Sequence, residues 1–238
     1  MRVNVKFILQ NNGIPSDYHR VFLSFLKRSI SCINNGAYFE RYFSGNSRRP
    51  YTFSIGLPSP VFRKDKIDLS KNEVSMIFST GDKLTGYIFY SAFLSQKNKD
   101  FPLKNNSMQL VSIQKLRDFE TDENEILVKM LSPLCIREHT ENSDIYYSCD
   151  SDNFLEKLNG TIKQQLLFDG FSEDLLKDFC VIPIDLKKTV VYHYGQYCEV
   201  SIGTLSMKGD KAILNYLLKN GIGSRKSAGF GCIKLLVE

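Results

Sequence analysis

The chain has 238 residues, 42% of them apolar, and a formal charge of +5, enough hydrophobic material for one large domain or two ordinary ones. A charge so near balance does not by itself point to an anionic partner, and no segment reaches the ~20 apolar residues of a membrane span. Six scattered cysteines without a C-x-x-C pair, beside only three histidines, argue against a zinc site and fit a reducing cytoplasm.

Residues 1–9 alternate as a strand rather than a signal peptide, and Asn11-Asn12-Gly13 breaks it. Pro15-Ser16 opens a helix with the apolar stripe Phe22, Phe25, Leu26, Ile30 and Ile33, which Asn34-Asn35-Gly36 stops. A polar, aromatic and basic loop over 37–50 leads to a strand at 51–57, a proline-containing connection at 58–70 and a strand at 72–79. Thr80 or Asp82 caps a helix to about Gln96, with Leu84, Ile88, Ala92 and Phe93 facing inward. Asn105-Asn106 then turns the chain into a strand over 107–116. Strand, helix, strand, strand, helix, strand is the ferredoxin-like order, and the acidic run 118–125 reads as a linker after it.

The second half repeats the plan. Residues 126–136 form a strand interrupted at Ser132-Pro133, and 152–168 a helix that Asn159-Gly160 bends or splits. Extended segments at 181–194 and 197–207 flank a turn at Gly195. Asp210 caps a last helix carrying Ile213, Leu214, Leu217 and Leu218, Asn220-Gly221 ends it, and an aliphatic strand follows at 233–237. The expected fold is α+β: two tandem ferredoxin-like (RRM-like, βαββαβ) domains at 1–118 and 125–238, with a C-terminal glycine-rich loop.

That loop is Gly221-Ile222-Gly223-Ser224-Arg225-Lys226-Ser227-Ala228-Gly229-Phe230-Gly231. A dinucleotide fingerprint needs strand, loop, helix, the reverse of the order here, and no G-K-[ST] phosphate loop is present. The preceding helix offers its electronegative C-terminus, so an anion held here relies on Arg225, Lys226 and loop N–H groups. The plainer reading is a connection with solvated charges.

Gly-apolar-Gly, five residues, then Gly-Phe-Gly, close to a C-terminus, resembles the signature loop of the RAMP superfamily. Within it the best resemblance is to the Cas6 family, CRISPR-associated endoribonucleases that cut precursor CRISPR RNA. Pro50-Tyr51-Thr52-Phe53-Ser54, Leu131-Ser132-Pro133-Leu134 and Gly203-Thr204-Leu205 match the family in the expected order, so the resemblance spans nearly the whole chain. It implies a cytoplasmic, metal- and cofactor-independent protein, a monomer or homodimer away from membranes. Its implied partner is CRISPR repeat RNA, with effector-complex proteins as a further class. In the implied reaction the RNA's own 2′-OH attacks the adjacent phosphate, leaving 5′-OH and 2′,3′-cyclic phosphate ends. The protein aligns the attack, moves protons and stabilises the phosphorane.

Family members place a histidine in the loop after the first helix, with a helix tyrosine and a loop lysine nearby. Here the loop over 36–50 has no histidine. Tyr42 or Phe43 stands at about its place, Lys27 at that of the tyrosine, and Arg49 at that of the lysine. By position and chemical type the catalytic candidates are Lys27, Tyr38, Tyr42, Arg48 and Arg49. For RNA binding, Gly221, Gly223, Gly229 and Gly231 permit close backbone approach. Arg225 and Lys226 supply charge, and the Lys187-Lys188 doublet extends a phosphate-tracking face. His193, in Tyr192-His193-Tyr194, is either one face of an ordinary strand or a base-stacking contact. His19 reads as a surface or packing residue and His139 as solvent-exposed. The missing imidazole keeps a second reading open: a non-catalytic repeat-RNA-binding protein or effector-complex subunit of the same fold. A generic RNA-recognition module is disfavoured, because its aromatic strand motif is absent.

Overall fold

The structure, a computed structural model, describes residues 1–45, 49–141 and 143–236. The alternation of β1 (Arg2–Leu9) buries Val3, Val5, Phe7 and Leu9 on one face. Two further strands are short, β2 (Gly13–Pro15) before helix α1 (Tyr18–Ser31) and, beyond the short helix α2 (Phe39–Phe43), the strand β3 (Thr52–Gly56) that joins the main sheet. The proline-containing connection holds β4 (Val61–Phe62) and β5 (Lys66–Asp68), and β5 pairs with both β2 and β4 in a small separate sheet. Then come β6 (Glu73–Ser79), α3 (Lys83–Gln96), β7 (Asp100–Leu103) and β8 (Asn106–Leu116). The antiparallel sheet runs β3-β6-β1-β8-β7. Phe22, Phe25, Leu26 and Ile30 of α1 and Ile88, Phe89, Ala92 and Phe93 of α3 pack into its core. Phe7 meets Phe22 and Phe25 edge-on with centroids 5.5 and 5.0 Å apart.

The second half is built from β9 (Glu125–Met130), a hairpin of β10 (Ile136–His139) and β11 (Asp144–Tyr147), and α4 (Phe154–Phe168). It continues with α5 (Glu173–Leu176), the long strands β12 (Cys180–His193) and β13 (Gln196–Lys208), α6 (Lys211–Asn220) and β14 (Ile233–Leu235). Its sheet runs β12-β13-β9-β14. Leaving out β7 and the β10–β11 hairpin, both sheets share one order of successive strands: second, third, first, fourth. This is the tandem ferredoxin-like architecture the element order implied.

Three local expectations change. Leu84 is 45% exposed, because α3 turns Thr85 and Phe89 inward instead. Asn159-Gly160 neither bends nor splits α4. The Asn159 amide accepts from the Val181 N–H at 2.8 Å and donates to the Val181 carbonyl at 3.0 Å, fixing α4 to β12 and thus finding a partner outside its own helix. The strands β7, β10 and β11 also occupy stretches read as loop or helix end, being too short or too polar for a periodicity signal.

The halves are joined by named bonds. The buried Arg2 guanidinium donates to the Ile233 carbonyl at 2.9 Å and lies over Phe119. Ser79 Oγ donates to the Lys219 carbonyl at 2.7 Å, and the Gly81 N–H to Asn220 Oδ1 at 3.1 Å. Thr52 Oγ1 donates to the Phe230 carbonyl at 3.0 Å. Among the described residues no helix is long and apolar enough to cross a membrane.

Candidate nucleic-acid interface

Asp210 caps α6 by accepting the Ala212 N–H at 2.7 Å, and the helix ends at Gly221, whose φ of +75° leads into the loop. Gly221, Gly223, Gly229 and Gly231 are all buried, so they pack the loop into the protein rather than offer backbone to RNA. A Cβ on Gly229, at φ +93°, would lie 2.7 Å from the Phe53 ring and 2.8 Å from His19 Nδ1. Direct RNA contact by these glycines therefore gives way to a role in joining the two halves. The loop comes to the surface only over Ser224–Ala228, where residues 226–228 make a 3-10 turn.

Beneath the loop lies a histidine pair. His19 stacks on Phe230 at 4.6 Å and its Nδ1 is 3.0 Å from the Ala228 carbonyl. A carbonyl only accepts, so Nδ1 carries the proton and donates. His193 packs edge-on against His19 and Phe230, with Nδ1 3.8 Å from Asp17 Oδ1. Burial pushes both imidazoles down to about 4, further lowered at His193 by the Arg225 charge. His193 is 2% exposed, which removes it as a base-stacking contact. The tip of the β12–β13 hairpin is tied to the start of α1 instead, the Tyr194 N–H donating to Asp17 Oδ2 at 3.1 Å.

Beside the surfaced part of the loop a cleft of about 650 Å³ opens between the halves. Arg49 enters from the first half, and Arg137, Arg225 and Lys226 from the second. Asp144 on β11 organises two of these: Arg137 Nη1 donates to both its oxygens at 2.9 Å and Arg225 Nη2 to Oδ2 at 2.8 Å. His139 Nδ1 also lies 2.8 Å from Oδ1, and these contacts, that with His139 first and then those with Arg137 and Arg225, hold the carboxyl well below its usual range. Lys226 Nζ lies 3.9 Å from Asp169 Oδ2, which accepts from the Tyr216 hydroxyl at 2.5 Å. Four cations thus line one cleft, three of them held by two carboxylates and Arg49 donating to the Gly45 carbonyl at 3.2 Å, and the Phe168 ring, 69% exposed, stands at its wall. Phosphates and a stacked base are the ligand chemistry this arrangement fits.

The other expected residues lie elsewhere. Tyr42 is fully buried, its hydroxyl 3.0 Å from Thr85 Oγ1, and burial, the leading influence, raises its pKa above the usual phenol value. Thr85 gives its own proton to Asp82 at 2.7 Å, so Tyr42 donates. Its placement as a reacting group is corrected accordingly: the phenol is enclosed by protein and does not line the cleft. Lys27 lies over the Phe43 ring, 5.9 Å away, and Tyr38 accepts a long bond of 3.4 Å from Asn34; neither lines the cleft. Lys187 and Lys188 are exposed on β12, Lys188 paired with Glu199 at 2.7 Å, away from the cleft. Arg48 falls outside the described residues. Arg137, Asp144, Phe168 and the Tyr216–Asp169 pair were not singled out from the sequence. Only the adjacency of cation and acid around the unpredicted hairpin carried a signal for the first two.

The family profile described as CRISPR associated protein Cas6, C-terminal, matches residues 114–235, just over half of the chain. Among curated proteins no sequence matches. Among solved structures, a Cas6-related protein from Pyrococcus furiosus superposes with a TM-score of 0.82 at 21% identity, over 100% of this chain and 99% of that one. A structure described as a RAMP protein binding different RNA substrates has the same TM-score and identity, with both chains fully covered. A Cas6 product complex gives 0.72 at 14% identity over 99% of each chain. These neighbours share the fold, and with the profile match over the second half this chain belongs to the CRISPR-associated Cas6 family.

Proposed function

We propose that the protein binds CRISPR repeat RNA in the interdomain cleft and cleaves it by attack of the RNA's own 2′-OH. The observation that carries this reading is the convergence of Arg49, Arg137, Arg225 and Lys226, from both halves, on a cleft walled by Phe168. The 2′-oxygen bonds to the adjacent phosphorus, the bond to the following 5′-oxygen breaks, and a proton passes to that oxygen. A 2′,3′-cyclic phosphate and a 5′-OH result. In this reading the guanidinium and ammonium groups neutralise the phosphorane, and stacking on Phe168 fixes the strand so that the 2′-OH lies in line. The Tyr216 hydroxyl and the Lys226 ammonium, both beside Asp169, are the groups of the cleft available to exchange protons.

A second reading, repeat-RNA binding without cleavage, is favoured by one observation: His19 and His193 are buried in the joint and bring no imidazole to the cleft. Incubation of wild-type protein with its genomic repeat RNA in excess EDTA separates the two. A 2′,3′-cyclic phosphate product, lost in Arg49→Ala with binding retained, supports cleavage. Bound, intact RNA at every protein excess establishes the binding-only reading.

A further inference from the structure

We infer that the outer face of α3 carries a second site for single-stranded RNA, a base-stacking platform of Tyr87 and Tyr90 that extends the track beyond the cleft. The inference rests on the reading of the cleft as an RNA interface. It starts from a helix with too little polarity for a surface position. Among its 14 residues Lys83 is the only charged one. The inner face is filled by Ile88, Phe89, Ala92 and Phe93, yet Leu84, Tyr87 and Leu94 are 45%, 72% and 50% exposed. An amphipathic surface helix turns charge outward, so an apolar, aromatic outer face marks a contact.

The shape beside this face fits a base. Tyr87 and Tyr90, three residues apart on one side of the helix, border a cavity of about 410 Å³, within the range of small-ligand pockets. Gly86 helps to line it without a side chain, and Lys83 and Lys115 also contribute to the lining. Its single carboxylate, Asp118, is ion-paired to the Met1 amino group at 3.3 Å. Aromatic rings flanked by ammonium groups match a nucleobase and its phosphates, whereas a purely apolar partner would leave the lysines unused.

The platform also lies on a line with the cleft. A cavity of about 640 Å³ shares Pro50 and Tyr216 with the cleft and adds Arg41 and Lys219. It shares Gly81 in turn with the tyrosine site. The carboxylates along this seam are matched by cations, Asp82 by Arg41 at 3.9 Å and Glu120 by Lys219 at 2.6 Å. A strand leaving the cleft along the seam reaches Tyr87 without crossing an unpaired negative charge.

The test compares fluorescein-labelled oligouridylates of about 6 and about 16 nucleotides, both within the span of single-strand site sizes. Tyr87→Ala should weaken the long oligomer about tenfold and leave the short one unchanged, and Tyr87→Phe, which keeps the ring, should restore it. Alanine at this exposed helical position preserves the fold, as far-UV circular dichroism will verify. Long oligomers carrying 5-iodouridine should photocrosslink to α3. Equal affinity of wild type and Tyr87→Ala for both lengths, with crosslinks confined to the cleft, overturns the platform. Loss of short-oligomer binding in Arg137→Gln/Lys226→Gln would in that event leave the cleft reading standing. Undiminished short-oligomer binding by that double variant, with the long oligomer still dependent on Tyr87, removes the cleft and keeps the platform. A wild-type dimer that Tyr87→Ala converts to a monomer with unchanged RNA affinity assigns the face to a second copy and overturns the inference.

Discussion

At the scale of single residues, two side chains of similar apparent promise separate once their surroundings are known. Tyr42 stands where the sequence invites an acid/base group, yet it belongs to a buried chain of donors running through Thr85 to Asp82 at the start of α3. Tyr42→Phe should cost about 1 kcal/mol in urea unfolding, the net worth of one hydrogen bond. RNA affinity and cleavage rate should stay within twofold of wild type; a hundredfold rate loss would return the phenol to the chemistry. Arg137 and Lys226 are the opposite case, engaged by Asp144 and Asp169 but standing in the cleft. Arg137→Gln and Lys226→Gln should each weaken RNA binding about tenfold. Each should also flatten the slope of log K against log salt by about 0.7, the value for one phosphate contact on a single strand. Anisotropy titrations at several salt concentrations check both quantities. An unchanged slope would mean that these cations meet no phosphate.

At the scale of elements, the glycine loop behaves as a structural joint with an exposed crest. Its positive-φ glycines let the chain press against Thr52, Phe53 and His19, while residues 224–227 line the cleft. Gly229→Ala forces a left-handed backbone on a residue with a Cβ and places that carbon within 2.7 Å of Phe53. A loss of about 2–4 kcal/mol in denaturant unfolding is expected, from the backbone term and the overlap together. An unchanged midpoint would show that the joint yields freely. The β10–β11 hairpin is the other element on which the site depends, since it carries Asp144, the acceptor that aims Arg137 and Arg225.

At the scale of the whole molecule, the joint between the halves contains two imidazoles held neutral. His19 and His193 face each other, Asp17 on the turn before α1, Arg225 on the loop, and the rings of Phe230 and Tyr194. Both have folded values of about 4 against an ordinary 6.5, so the unfolded chain binds more protons between these limits. Stability is fully present above about pH 6.5 and is lost as pH falls toward 4. Urea midpoints across that window should fall steeply in wild type and more shallowly in His193→Phe. Parallel curves would show that other groups drive the acid transition.

Much of the fold was legible in the chain because it rests on local signals. Alternation in β1, the stripe of α1, the Asp82 and Asp210 caps and the Gly195 turn each act within a few residues, and their order is sufficient for two βαββαβ units. The glycine spacing at 221–231 likewise carries the family resemblance within a single stretch of chain. What the sequence could not assign was which side of each signal faces water. Tyr42 and Arg49 are seven residues apart in one polar loop, yet tertiary packing buries the first and sets the second in the cleft. Arg137, Asp144 and Arg225 are joined across 81 residues of sequence at most, and His19 meets Ala228 across 209, so only the folded chain brings them together. A site built from such distant pairs exists through the docking of the two halves, and docking is decided by shape and burial that no single window of sequence contains.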